Sequence, residues 1–258
     1  MHPHPRNKLN RRQMLGFLGA AGTSAVALVA CGSGSDSSSA SSTGSSTGSS
    51  TAASTLTASM FDGAGSCGLS PTETEGPYYI DVDKIRSDIR EDRVGTRLRV
   101  GARVLDVDGC TPIKDAVFEI WHCDAAGTYS GFEAASNGQR GGGGGGAGPT
   151  DADRFLRGAQ ITNANGITEI TTIYPGWYRG RTAHIHAKVF ISNTQVLTTQ
   201  LYFDEDLNRK IYATSPYNGH TGRDTFNAND SIFSADTIMT VSKDGDGHLG
   251  LITLTVKT

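Results

Sequence analysis

Seven histidines occur in the 258 residues, and two of them, His184 and His186, form a His-Ile-His inside the run HIHAKVFI, which reads as a β-strand. Side chains alternate across a strand, so both imidazoles lie on one face and Ile185 on the other. Two imidazoles placed this way can converge on one metal ion; packed or surface histidines are the structural alternative. Three other segments form the surroundings of this pair. Residues 175–183 (PGWYRGRTA) lead straight into the His-Ile-His strand and can turn Tyr178 back over the same face. Residues 121–130 (WHCDAAGTYS) end a strand in a glycine turn bearing Tyr129. Residues 198–203 (TTQLYF) place an amide, Gln200, within an apolar strand. A facial two-histidine, one-carboxylate ferrous site would need Glu169 or Asp124, and neither sits in a segment that points there. No Ser-His-Asp or paired-carboxylate signature argues for a hydrolase.

Upstream of these segments stands Thr74-Glu75-Gly76-Pro77-Tyr78-Tyr79. The four blocks, in this order over about residues 70–205, resemble the intradiol ring-cleaving dioxygenases, the family of protocatechuate 3,4-dioxygenase and catechol 1,2-dioxygenase. The resemblance implies a two-sheet β-sandwich and a single ferric iron, Fe(3+). Its ligands would be Tyr129, Tyr178, His184 and His186, with Tyr178 and His186 axial. It places the active-site arginine at Arg181 and a substrate-contacting amide at Gln200, with Tyr79 and Trp177 lining the pocket. The structural alternatives are an ion pair for Arg181, a hydrogen-bonded core amide for Gln200 and a packed core ring for Tyr129. Two phenolates and a hydroxide balance a trivalent cation, and that cation reverses the preference of tyrosine for its neutral form. The implied reaction is O2-dependent cleavage between the two hydroxyl-bearing carbons of a small aromatic diol, giving a cis,cis-muconate-type diacid. This chain departs from the catechol-cleaving branch in lacking its long N-terminal helical dimerisation segment, which leaves monomer and homodimer open. A glycine-rich insertion, residues 138–148, is read as a surface loop; no GK[ST] or following helix supports a phosphate cradle. Two rival readings are an envelope-anchored, non-catalytic β-sandwich binding protein, and a copper or zinc enzyme using His184 and His186.

The elements that must position these residues read as all-β. Strands are expected at residues 97–105, 116–121, 167–173, 184–191, 195–203 and 249–256, with a turn across 106–115 and hairpin turns at 163–166 and 192–194. The helical candidates are residues 84–91 and 204–213, and residues 81–91 otherwise read as a solvated face. His122 reads as a structural histidine, and His220 and His248 as exposed.

The chain divides into an export signal (1–31), a tether (32–58) and the sandwich domain (59–258). Residues 10–15 (NRRQML) form a twin-arginine signature ahead of a weakly apolar run, and residues 28–31 (LVAC) resemble a lipobox that would place a lipid on Cys31. The expected location is therefore periplasmic or at the cell surface, with membrane contact only through the anchor at Cys31. Residues 37–57 hold 15 Ser or Thr in 21 positions and cannot form a core. The signal carries +4, which leaves 19 basic against 26 acidic residues in the remainder, and no basic stripe with interleaved aromatics argues for nucleic acid. Of Cys67, Cys110 and Cys123, two can pair and one is left over; the absence of a CxxC pair excludes a zinc ribbon.

Overall fold

The computed structural model describes residues 55–136 and 148–258, so the predicted signal, Cys31, most of the tether and most of the glycine-rich insertion lie outside the described residues. β-branched and aromatic residues make strands the main regular element of the described residues. Nine strands are described: β1 (Arg97–Asp106), β2 (Thr111–Pro112), β3 (Val117–Trp121), β4 (Arg157–Ile161), β5 (Ile167–Ile173), β6 (His184–Ile191), β7 (Thr194–Tyr202), β8 (Thr240–Asp244) and β9 (Gly247–Val256). Helices are α1 (Glu133–Ser136) and α2 (Glu205–Tyr212), with a few 3-10 turns. No helix among the described residues is long and apolar enough to cross a membrane.

The strands form the expected two-sheet sandwich. In the first sheet β8, β9 and β1 lie side by side, and β2 and β5 pair with different stretches of the far edge of β1. The second sheet is ordered β4-β3-β6-β7 and is antiparallel throughout. Between them lie Val100, Ala102, Val104, Ile252 and Leu254 from one side, and Phe118, Ile120, Ile185, Ala187, Val189 and Leu201 from the other, all fully buried. At roughly 1.5–3 kcal/mol for each buried Val, Leu, Ile or Phe, this layer carries much of the driving force for folding.

Both outer faces are covered as well. Over the first sheet Leu56, Phe61 and Ala64 pack on Ile167, Leu249 and Leu251. Leu56 was expected in the tether; it is instead buried, so the domain's contacts begin before residue 59. The second sheet presents polar and aromatic side chains outward, and these form the candidate site.

The β6–β7 hairpin turns through Ser192 and Asn193 at φ 49° and 64°, the pair of left-handed residues that a two-residue primed turn requires. The turn at residues 163–166 forms as predicted, with the Asn163 side chain accepting from Asn165 and Ile167 N–H. It is not a hairpin, however: it carries the chain from β4 in one sheet to β5 in the other. Turn chemistry dictates a reversal, not the sheet that receives the next strand.

Residues 84–91 are not helical. Ile85 and Ile89 stand at helical spacing, but the segment lies extended along the edges of both sheets. Arg86 N–H donates to Ala159 and Ile89 N–H to Thr171, and Asp83 and Glu91 adopt positive φ. Nor is it a plain solvated face, because Ile89 is fully buried and Arg86 donates to the carbonyls of Arg154 and Arg157. The second predicted helix forms as α2, its first turn capped by Asp204. The sequence reading missed β8, whose residues TVSKD are mostly polar and exposed, and gave β4 only its last residue, RGAQI having a weak β signature.

Cys67 and Cys110 form a disulfide, and Cys123 is free and buried. The bridge spans a sequence separation of 43 and ties the N-terminal segment to the turn after β1. A cross-link of this length constrains the unfolded chain. A Cys67→Ser/Cys110→Ser double variant is expected to lose about 2–4 kcal/mol of unfolding free energy, read from chemical denaturation; an unchanged midpoint would contradict a stabilising role.

Candidate metal centre

The register of the second sheet sets the site's floor. Trp121, His186 and Gln200 are cross-strand partners on β3, β6 and β7, and His184 faces Tyr202. All five are buried, and they sit on the face opposite Ile120, Ile185, Ala187 and Leu201 in the sandwich core. The Trp121 indole stacks on the His186 imidazole at 4.8 Å and 6°, which fixes the plane of that ring. The two imidazoles stand nearly perpendicular, 4.8 Å apart.

Two loops deliver the phenols. After β3 the chain turns at residues 124–128, where the Asp124 side chain accepts from Ala126 and Thr128 N–H and Gly127 adopts φ 84°. This brings Tyr129, fully buried, to 3.4 Å from His184 Nε2. Before β6 a second turn closes with Arg181 N–H donating to the Tyr178 carbonyl, Gly180 adopting φ 83°. Tyr178 Oη then lies 3.2 Å from the same His184 Nε2. The sequence expectation that this turn folds Tyr178 back over the histidine face matches the geometry.

The protonation states follow from the contacts. His184 Nδ1 lies 2.7 Å from the Thr182 carbonyl, which can only accept, so Nδ1 carries the hydrogen and Nε2 directs a lone pair towards both phenols. Burial, reinforced by Arg181, holds His184 far below the usual histidine range, and burial with the neighbouring His184 does the same to His186. Both rings are therefore neutral donors. Burial pushes Tyr129 well above its ordinary value and raises Tyr178 despite the opposing charge of Arg181.

This donor set fits a highly charged metal ion. Two neutral imidazoles and two phenols converge with no carboxylate among them, and no group of three His, Cys, Asp or Glu side chains able to hold a metal occurs among the described residues. His186 Nδ1 is buried without a hydrogen-bond partner. Gly76 adopts φ 72°, and a Cβ there would come within 3.1 Å of the His186 ring, so the backbone of residue 76 is pressed against a candidate ligand. Asp124 and Glu169, the carboxylates weighed for a ferrous site, are engaged elsewhere: the first caps its own turn and the second pairs with Arg99 at 2.6 Å on the other sheet.

The remaining predicted site residues are placed as follows. Arg181 donates from Nε to Asp230 at 2.9 Å and from Nη2 to Gln200 Oε1 at 2.6 Å. Gln200 is completely buried and also donates to the Thr74 carbonyl. The ion pair and the bonded amide, raised as alternatives to a functional role, are thus real contacts beside the four donors. Trp177 stacks on His220 at 3.9 Å. Tyr79 packs on Trp121 and donates to Glu119, one ring removed from His186. Its neighbour Tyr78 is the ring that meets the candidate ligands, stacked on Tyr129 at 4.6 Å and edge-on to Tyr178.

Sequence reasoning assigned no role to Tyr78, although it lies within the TEGPYY block, nor to Arg157. Arg157 is 1% exposed and donates to the Tyr78 carbonyl and to the side chain and carbonyl of Ser130, clamping the two loops that carry Tyr78 and Tyr129. A buried arginine opening a weak strand left no local signal. His122 is a satisfied structural histidine, bonded to the Cys123 carbonyl and Thr172. His220 and His248, expected to be exposed, are half-buried, because the first lies under Trp177 and the second belongs to β9.

A two-sheet sandwich in which the outer face of the antiparallel second sheet gathers two phenols and two imidazoles defines a candidate metal centre. The Dioxygenase family model matches residues 74–215, more than half of the chain, and the protein belongs to the intradiol ring-cleavage dioxygenase family. Among solved structures, an intradiol ring-cleavage dioxygenase from Tetranychus urticae is 37% identical with a TM-score of 0.68, the match covering 74% of this chain and 95% of that one. A chlorocatechol 1,2-dioxygenase of Rhodococcus opacus is 32% identical over 46% of this chain and 48% of its own length. A catechol 1,2-dioxygenase of Acinetobacter lwoffii is 31% identical over 54% of this chain and 48% of its own. The chain thus spans about half the length of those two bacterial relatives.

The site also has a pH signature. Glu73 accepts from Tyr202 Oη at 2.6 Å, its other oxygen is buried without a partner, and burial raises it to about 7 from 4.5. In the window between those two values the native state holds a proton that the unfolded chain has released, so stability falls as pH rises through it. Glu73→Gln removes this titration. Its thermal midpoint relative to the parent should be more favourable at about pH 8 than at about pH 4; a difference equal at both would exclude Glu73 as the source.

Proposed function

We propose that this domain cleaves a catechol-type ring with O2 between its two hydroxyl-bearing carbons, giving a cis,cis-muconate-type diacid, and that Tyr129, Tyr178, His184 and His186 hold a ferric iron for the purpose. The observation that carries this reading is the convergence of both phenols on His184 Nε2, at 3.4 and 3.2 Å, beside a second neutral imidazole. Ferric iron, when bound, supplies the positive charge that ionises the phenols and substrate hydroxyls and draws electron density from the ring.

The chain's own residues divide the remaining work. Tyr129 is completely buried on a capped turn, clamped by Arg157 and covered by Tyr78, and acts as the fixed phenolate. Tyr178 is half-buried on a turn whose Arg179 and Gly180 are exposed. It is the phenol with room to move, and its Oη takes a substrate proton. Arg181, held by Asp230 and Gln200, presents a permanent cation where negative charge develops on the substrate. Trp121 keeps the His186 ring in plane, and the Thr182 carbonyl keeps His184 in the required tautomer.

The wider setting belongs to the same proposal: export by the twin-arginine route and a lipid on Cys31 would hold the domain outside the cytoplasm, where it meets extracellular aromatic diols.

Purified residues 55–258 reconstituted with ferric iron should show a visible absorption band and take up O2 with catechols. A colourless protein would favour the non-catalytic binding domain, and copper or zinc as the retained metal would favour the second rival. Tyr178→Phe is expected to shift the band and slow turnover by about a hundredfold or more. His184→Ala should lose iron altogether, and metal analysis showing a full complement would remove His184 from the ligand set.

A further inference from the structure

We propose that Asp230 is the positioning residue for Arg181, setting the guanidinium in place before substrate arrives; this rests on the reading of the site given above. Asp230 lies on the segment that follows α2, beyond the residues 74–215 matched by the family model. Its side chain has no exposed surface. Oδ2 accepts from Arg181 Nε at 2.9 Å and from Thr182 N–H at 2.8 Å, and Oδ1 accepts from Ile232 N–H at 2.9 Å. A buried carboxylate is tolerated only when paired and hydrogen-bonded, and Arg181 is the cation that pairs it.

Two consequences follow from these bonds. Arg181 is gripped along one edge, with Asp230 on Nε and Gln200 on Nη2, and its side chain is 12% exposed. The rotamer freedom of a long arginine side chain is thus largely surrendered on folding rather than at the moment of reaction. The same carboxylate holds the N–H of Thr182, whose carbonyl accepts from His184 Nδ1. One acid therefore ties the cation and the tautomer-setting peptide to a common point. The neighbouring segment adds to the hold: Thr182 Oγ1 donates to Asn227 at 2.7 Å, and Arg223 donates to Thr182 Oγ1 at 3.0 Å.

The test compares Asp230→Asn, Arg181→Met and the double variant, all iron-loaded. Asp230→Asn should keep its iron per chain and its visible band while kcat falls about 10- to 100-fold with KM changing less. If Asp230 acts through Arg181, its substitution costs at least threefold less in the Arg181→Met background than in the parent. Equal losses in the two backgrounds would overturn the proposal. If Asp230→Asn does not fold, Asp230→Glu carries the same comparison. A second reading uses metal-free protein. The Arg181 Nε–H resonance, assigned by its loss in Arg181→Met, should be protected from solvent exchange in the parent and lose that protection in Asp230→Asn; retention would also overturn the proposal. That measurement needs no turnover, so an iron-loaded parent inactive on every catechol would sink the proposed reaction while leaving the positioning question decided by the spectrum.

Discussion

Everything in this protein depends on a β-sheet that is buried on both faces yet polar on one of them. β6 places Ile185, Ala187 and Val189 in the apolar layer and His184, His186 and Lys188 on the other side, all of them buried. Buried polar groups must find partners, and the sheet alone cannot supply them. The loops above it do so. The 73–79 segment brings Glu75 to Lys188 and Tyr78 to Tyr129, the turns after β3 and before β6 bring the two phenols, and the segment after α2 brings Asp230. The roof of the site is thus the answer to a satisfaction problem posed by the strand beneath it.

The electrostatics of that roof are one-sided. Burial keeps the imidazoles neutral and the phenols protonated, so the protein holds four potential donors and no anion of its own among them. Two buried cations, Arg181 and Arg157, act electrostatically on the site. Arg181 is compensated by Asp230, whereas Arg157 is hydrogen-bonded to carbonyls and a hydroxyl, and its burial lowers it to about 10. Both favour negative charge on nearby phenolic oxygens. This arrangement suits a centre in which phenolates, rather than carboxylates, balance a metal ion.

Local signals were strong where the chemistry is strictly local. The spacing of His184 and His186 fixes a shared face because strand alternation has a period of two, and the Ser192-Asn193 turn reverses β6 into β7, although a bulge between Val189 and Phe190 shifts the register by one before the site. The TEGPYY block did not say which ring meets which neighbour: two adjacent tyrosines point different ways, and only packing shows that Tyr78 meets the phenols while Tyr79 meets Trp121. Residues 84–91 misled in the same way. Ile85 and Ile89 satisfy a helical spacing, but the hydrogen-bonding edges of two sheets were available and the backbone took those instead.

What the amino-acid order determined by itself was the strand that carries His184 and His186 on one face and the turn that returns Tyr178 towards it, because each depends on periodicity or turn chemistry within a dozen residues; Tyr129 joined them only through the family resemblance. Tertiary structure alone decided that β4 and β5 belong to different sheets, that Cys67 rather than Cys123 meets Cys110, that Arg157 locks two loops, and that Asp230, 49 positions along the chain, holds Arg181. Those outcomes rest on which distant surfaces must cover one another to bury an apolar layer and satisfy buried polar atoms, a condition imposed on the whole fold and written in no single segment.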